Sequence, residues 1–118
     1  MNRHERRRQK KNHKLNQTVN KDLLEGIRLH TNKNYTKAET FYNKVLSSDP
    51  TNYEAIRHLG ILYQDLKQYE KAYNYFLQAL KVNSKGFQAL SNLATIHMEN
   101  KNYELAHKCL NQSFKINS

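Results

Sequence analysis

Six histidines, one cysteine and ten carboxylates are the side chains with which this 118-residue chain could transfer protons, attack a substrate or hold a metal. Their spacing argues against all three. His4, His13, His30, His58, His97 and His107 include no pair four residues apart and no HExxH, the spacing that turns two imidazoles onto one metal. Cys109 has no sequence neighbour that would activate a thiol, and a lone cysteine makes neither a disulfide framework nor a multi-cysteine zinc site. Gly26, Gly60 and Gly86 stand too far apart to cradle a phosphate. Glu54, Arg57 and His58 fall within about one helical turn, which is ordinary surface chemistry. The expectation is a protein that is not an enzyme, with no catalytic residue, metal or cofactor.

The other chemistry on offer is electrostatic. The net charge is +10, and residues 1–18 carry seven cations (Arg3, Arg6, Arg7, Arg8, Lys10, Lys11 and Lys14) against Glu5 alone. The remaining 100 residues carry thirteen cations against nine acids, so the excess sits mostly on a basic N-terminal arm. Three readings of the arm compete. It is a solvated extension of a helix with no ligand, or an anion-binding segment for nucleic-acid phosphate, or a contact to an anionic membrane face. They rank in that order, since the arm lacks the apolar face a membrane would require and no base-stacking aromatics accompany it.

Composition places the elements that must carry these side chains. Hydrophobic residues make up 37% and charged residues 25%, polar for a globular protein but richer in apolar side chains than a disordered one. The length suits one small domain. No apolar run approaches a membrane span, and the basic start leads into more polar residues and not a secretory signal. With its single cysteine, the chain reads as cytoplasmic.

Sliding the sequence against itself by 34 residues reveals its organisation. Lys33, Lys67 and Lys101 coincide, as do Tyr35, Tyr69 and Tyr103, and Ala38, Ala72 and Ala106. Small residues recur at Gly26, Gly60 and Ala94. The units are 19–52, 53–86 and 87–118, after an arm over 1–18. Within the second, Ile56, Leu59, Gly60 and Tyr63 form one helical stripe, and Tyr69, Ala72, Tyr73, Phe76, Ala79 and Leu80 another. Each unit is therefore expected to be two antiparallel helices, near 19–31 and 35–48, 53–65 and 69–82, 87–99 and 103–116. Pro50 stops one helix between units. Where the helices cross, the small residues let backbones approach, and Tyr42, Phe76 and Leu110 are expected to fill the space beside them.

This pattern resembles the tetratricopeptide repeat family, in a bacterial-type form similar to the repeats of O-linked N-acetylglucosamine transferases. The match is Leu59–Gly60 with Tyr63 three residues on, then Tyr69–x–x–Ala72, Phe76, and the closing pair Ala79–Leu80; over 19–118 it covers most of the chain. The sequence departs from the family at the unit ends, where Pro50 becomes Ser84 and Ser118, and at the turns, where the family's glycine is Lys33, Lys67 and Lys101. The first helix is the most polar, with Asp22 and Glu25 where later units have Ile56 and Leu90, and Leu59 and Leu93.

The resemblance implies an all-α solenoid, a right-handed superhelix of three helix-turn-helix units whose first helices line a concave groove for extended peptides. By position the groove would show Arg57, His58, Ile61, Gln64, Gln88, Asn92, Thr95 and Met98, with Leu23, Ile27, His30, Glu54 and Ser91 beside them. His58 and Asn92 are equivalent positions able to bond a ligand's main chain, as in the transferases' asparagine ladder; Leu24 interrupts the ladder in the first unit. The lysines with which some members clamp a terminal carboxylate are missing, so no chaperone-tail receptor is expected.

At the far end, Leu105 replaces Lys37 and Lys71 and stands four residues from Cys109, with Phe114 and Ile116 close by. This suggests an apolar docking end for a second copy or another protein. The leading functional expectation is a scaffold that binds a protein or extended peptide. The alternatives are the N-terminal targeting region of a larger glycosyltransferase or sulfotransferase, and a nucleic-acid adaptor acting through Arg3, Arg6, Arg7, Arg8, Lys10 and Lys11.

Overall fold

The computed structural model describes residues 2–117; Met1, which begins the arm, and Ser118, which ends the third repeat, lie outside them. Six helices follow in order: α1 (Arg3–Thr31), α2 (Tyr35–Ser48), α3 (Tyr53–Asp65), α4 (Tyr69–Val82), α5 (Phe87–Glu99) and α6 (Tyr103–Ile116). No strand occurs among the described residues. Helices α2 to α6 fall on the spans read from the repeat. Each odd-numbered helix packs against the next one, α1 on α2, α3 on α4 and α5 on α6. The length argued for one domain, yet the chain divides into two compact units, one up to Pro50 and one from Thr51. Repeat arrays make contacts only between neighbours, so they partition where a central core would not.

The first helix is longer than the repeat register predicts. The register places its start near residue 19, but α1 runs unbroken from Arg3, so the arm and the first helix of the repeat are one helix. A capping box explains the early start: Asn2 Oδ1 accepts the Glu5 N–H at 2.8 Å, and Glu5 reaches back to the Asn2 N–H. From there to Thr18, Arg, Lys and Gln dominate, with no Gly or Pro to break the helix.

In the first unit, α1 buries Val19, Gly26 and Leu29, and α2 buries Ala38, Tyr42 and Val45. A methyl at Gly26 would stand 2.7 Å from the Tyr42 ring, so the ring occupies the space that glycine leaves. His30 Nδ1 sits 3.2 Å from the Tyr42 hydroxyl and its ring meets Tyr35 edge-on. Two acidic residues of α1 are matched locally. Asp22 lies 3.8 Å from Lys44, and Arg28 bonds Glu25, which holds that carboxyl below its ordinary range.

In the second unit, Ala72 and Phe76 of α4 pack with Leu93 and Ile96 of α5, flanked by Ile61, Tyr73, Leu80 and Cys109. Gly60 repeats the device of Gly26: its methyl would stand 2.5 Å from the fully buried Phe76 ring. The third instance departs from expectation. Ala94 replaces the glycine, and Leu110 is 43% exposed where Tyr42 and Phe76 are buried. The Ala94 methyl takes the space a ring would enter, and among the described residues no later helix covers Leu110.

All three helix pairs turn the same way. Lys33, Lys67 and Lys101 hold φ of 63°, 61° and 61°, the left-handed region. Lys67 N–H bonds the Gln64 carbonyl and Gln68 N–H bonds the Tyr63 carbonyl, and the same pair of bonds closes α1 and α5. This Schellman closure favours glycine, because an L side chain there costs about 1–2 kcal/mol. The lysines keep the family's turn without its residue. Lys67→Gly is expected to raise stability by about 0.5–1 kcal/mol, the relief exceeding glycine's extra chain entropy. The check is the midpoint of urea unfolding at unchanged slope; a lowered midpoint would mean that the lysine is better than neutral there.

The start of α5 is closed from outside. In α3, Asn52 caps its own helix, accepting the Ala55 N–H at 2.9 Å. The equivalent residue of α5 is Gly86, which has no side chain to do so. The Tyr53 hydroxyl takes its place: it accepts the Ala89 N–H at 3.1 Å and donates to Gln88 Oε1 at 3.2 Å. A methyl on Gly86 would stand 2.5 Å from that hydroxyl, so the missing side chain and the imported cap require each other. Tyr53→Phe is expected to cost about 1 kcal/mol, as removal of a helix cap does. Adding Gly86→Asn should destabilise the parent but recover part of the loss in a Tyr53→Ala background, where the ring atoms that a methyl would meet at 2.6 and 2.7 Å are gone. Additive effects in the double-mutant cycle would contradict this coupling.

Candidate functional site

The candidate face lies on α3 and α5 within the second unit. Glu54, Arg57, His58, Ile61 and Gln64 lie along α3, and Gln88, Ser91, Asn92, Thr95 and Met98 along α5. Arg57 joins the two helices. Its Nη2 donates to Glu54 Oε2 at 3.0 Å and its Nη1 to Asn92 Oδ1 at 3.2 Å, with the side chain only 16% exposed. Its Nε is buried without a hydrogen-bond partner. His58 Nε2 lies 3.5 Å from the same Glu54 oxygen. One carboxylate therefore lies against both Arg57 and His58, and the Arg57 charge is spent locally.

The structure brings some of the expected residues together and not others. Arg57 meets Asn92, and Gln88 meets Tyr53, a residue the sequence pattern does not single out. With Arg57 on one lone pair of the Asn92 oxygen, Asn92 can offer a ligand its amide N–H pair and the second lone pair. Ile61 packs partly into the core. Gln64 is half-buried, and Thr95, whose hydroxyl returns to the Ser91 carbonyl, is exposed. Met98 is 52% exposed. Of the residues expected from the first unit, His30 is engaged with Tyr42, and Leu23 and Ile27 are half-buried; Leu24, which interrupts the ladder, is exposed.

Burial pushes the Tyr53 phenol upward; the bond from the Ala89 N–H and the Arg57 charge oppose the shift, while the Glu54 charge adds to it. The phenol stays protonated near neutrality and so remains able to donate to Gln88. Another polar cluster, which the sequence reading missed, is centred on Ser113. Its Oγ donates to the Phe87 carbonyl at 2.9 Å and lies 2.9 Å from Ser91 Oγ, tying α6 to α5. Its repeat partners are Val45 and Ala79, so the break in an otherwise apolar column was the available signal.

At the expected docking end, Leu105 and Phe114 are 48% and 73% exposed. Cys109 does not join them. It is half-buried against the Phe76 and Ile96 cluster, and burial raises its thiol above the ordinary range. Leu105 instead borders a depression of about 460 Å³ with Tyr69, Tyr73 and His97, the last meeting the Tyr73 ring edge-on. Arg3, Arg6, Arg7, Arg8, Lys10 and Lys11 are all exposed on the first turns of α1. Among the described residues no group of three histidine, cysteine or carboxylate side chains could hold a metal, and no helix is long and apolar enough to cross a membrane.

Comparison with solved structures returns helical-repeat proteins. The second TPR of Spaghetti (RPAP3), solved bound to the HSP90 peptide SRMEEVD, superposes with a TM-score of 0.76 at 16% identity, covering 85% of this chain and 93% of that one. MamA superposes at 0.77 with 11% identity, covering 85% of this chain and 58% of its own. PilF of Pseudomonas aeruginosa gives 0.79 at 22% identity, with 84% of this chain aligned to 45% of that one. At such identities the shared property is the fold. No curated protein sequence matches the chain. Sequence profiles described as tetratricopeptide repeat match residues 29–85 and 87–118, which together take in α2 to α6, the three left-handed turns and the crossings at Gly60 and Ala94. The chain belongs to the tetratricopeptide repeat family.

Proposed function

We propose that this protein is a protein-interaction module that receives an extended segment of a partner across the α3 and α5 face. The observation that carries this reading is the Arg57 bridge between Glu54 and Asn92, which fixes a polar surface before any partner arrives. A face that is already ordered loses less side-chain freedom on binding. Asn92 and His58 are the groups suited to the partner's main chain. Gln64, Gln88 and Thr95 extend the polar lining, and Ile61 and Met98 supply apolar contact. Family membership supports a binding role, and the two TPR domains of Spaghetti were each solved with a bound peptide. The missing lysine clamp leaves an internal segment of a partner as the favoured ligand, and not a free carboxylate end.

The test is affinity capture from native extract with nuclease present, using the full chain and a Thr95→Arg, Met98→Glu variant. Both substituted positions are exposed, so the fold should be unaffected. The expected result is a set of proteins retained by the parent and reduced at least tenfold with the variant. Equal retention by both would place the binding surface elsewhere.

A further inference from the structure

The arm becomes more specific once it is a helix. Arg3, Arg6, Arg7, Lys10, Lys11 and Lys14 project from α1, and at 100° per residue they fall within an arc of about 140°. That arc is turned roughly 120° from the side on which Val19, Gly26 and Leu29 are buried. Arg8 stands about 60° beyond the arc, beside His4. None of these cations pairs with an acid among the described residues; Glu5 is engaged at the helix cap. The stripe is long, one-sided and fully exposed.

Its charge density is informative. From Arg3 to Lys14 the helix rises about 17 Å at 1.5 Å per residue, so six cations give roughly one charge per 3 Å. One strand of a nucleic-acid duplex carries one phosphate per about 3.4 Å of axis. Guanidinium groups, half of the stripe, bind phosphate oxygens in bidentate fashion. Other polyanions fit less well. Leu15 is the one apolar residue between 2 and 18, so no face could enter a bilayer. The same stretch has no Phe, Tyr or Trp on which the bases of a single strand would stack.

We propose that the stripe on α1 binds the phosphate backbone of a nucleic-acid duplex without reading its sequence. The contact is backbone only, so affinity follows ionic strength and duplex geometry. This activity is separate from peptide binding on α3 and α5, and either can fail without the other.

The experiment is fluorescence anisotropy of the full chain with labelled 20-base-pair DNA and RNA duplexes, from 50 to 200 mM salt. Six phosphate contacts predict a slope of log K against log salt near −5 on DNA, a loss of about 10³ in affinity over that range. Arg6→Gln with Lys10→Gln should make the slope about 2 units shallower. Circular dichroism would show that the helix persists, since glutamine is a good helix former. Comparing the two duplexes tells DNA from RNA as the source of the phosphates. Absence of duplex binding at 50 mM salt would overturn the proposal, as would a slope unchanged by the double substitution. So would binding of poly-glutamate or of vesicles with 30% phosphatidylserine as tight as binding of the duplexes, since either would assign the stripe to acidic protein or lipid.

Discussion

The constraint on which the fold depends is the contact of a glycine hydrogen with an aromatic ring. Gly60 and Phe76, like Gly26 and Tyr42, let an odd-numbered helix and its partner approach with no side chain between them. A methyl at either glycine would intrude on a ring that is fully buried and has no room to yield. The ring in turn serves as the floor for the next layer, since Phe76 belongs to the cluster that receives Leu93 and Ile96. Removing the contact would disturb two helix packings at once. Glycine here is spatial and not conformational, because neither residue has positive φ.

Conformational strain is placed elsewhere, at Lys33, Lys67 and Lys101. A residue with a β-carbon at the left-handed position opposes folding, yet the Schellman bonds around it satisfy carbonyls that would otherwise end each helix unpaired. The turn survives because its geometry is set by the two helices it joins, and the side chain at its apex points to solvent.

Much of this was legible in the sequence, for a physical reason. Helices α2 to α6 each bury one apolar stripe, and a buried stripe leaves its period in the sequence; the 34-residue register then fixed their limits. The first half of α1 buries nothing before Val19, so periodicity was silent there, and only the Asn2–Glu5 pairing signalled its start. Leu110 and Cys109 were misplaced because the repeat register treats equivalent positions as equivalently covered, whereas coverage depends on the neighbour. The candidate face was legible by position only: Arg57 to Asn92 and Tyr53 to Gln88 are contacts 35 residues apart, and one-dimensional spacing does not say which side chain reaches which.

The imported cap has a consequence for how the second unit holds together in time. The first turn of α5 relies on a hydroxyl belonging to α3, so it cannot close until α3 is docked. Opening fluctuations of the two helices are thereby linked, and the Ala89 amide can exchange its hydrogen with solvent only when Tyr53 withdraws. Beside the Arg57 bond to Asn92, this phenol makes α3 and α5 open and close as a single cooperative element.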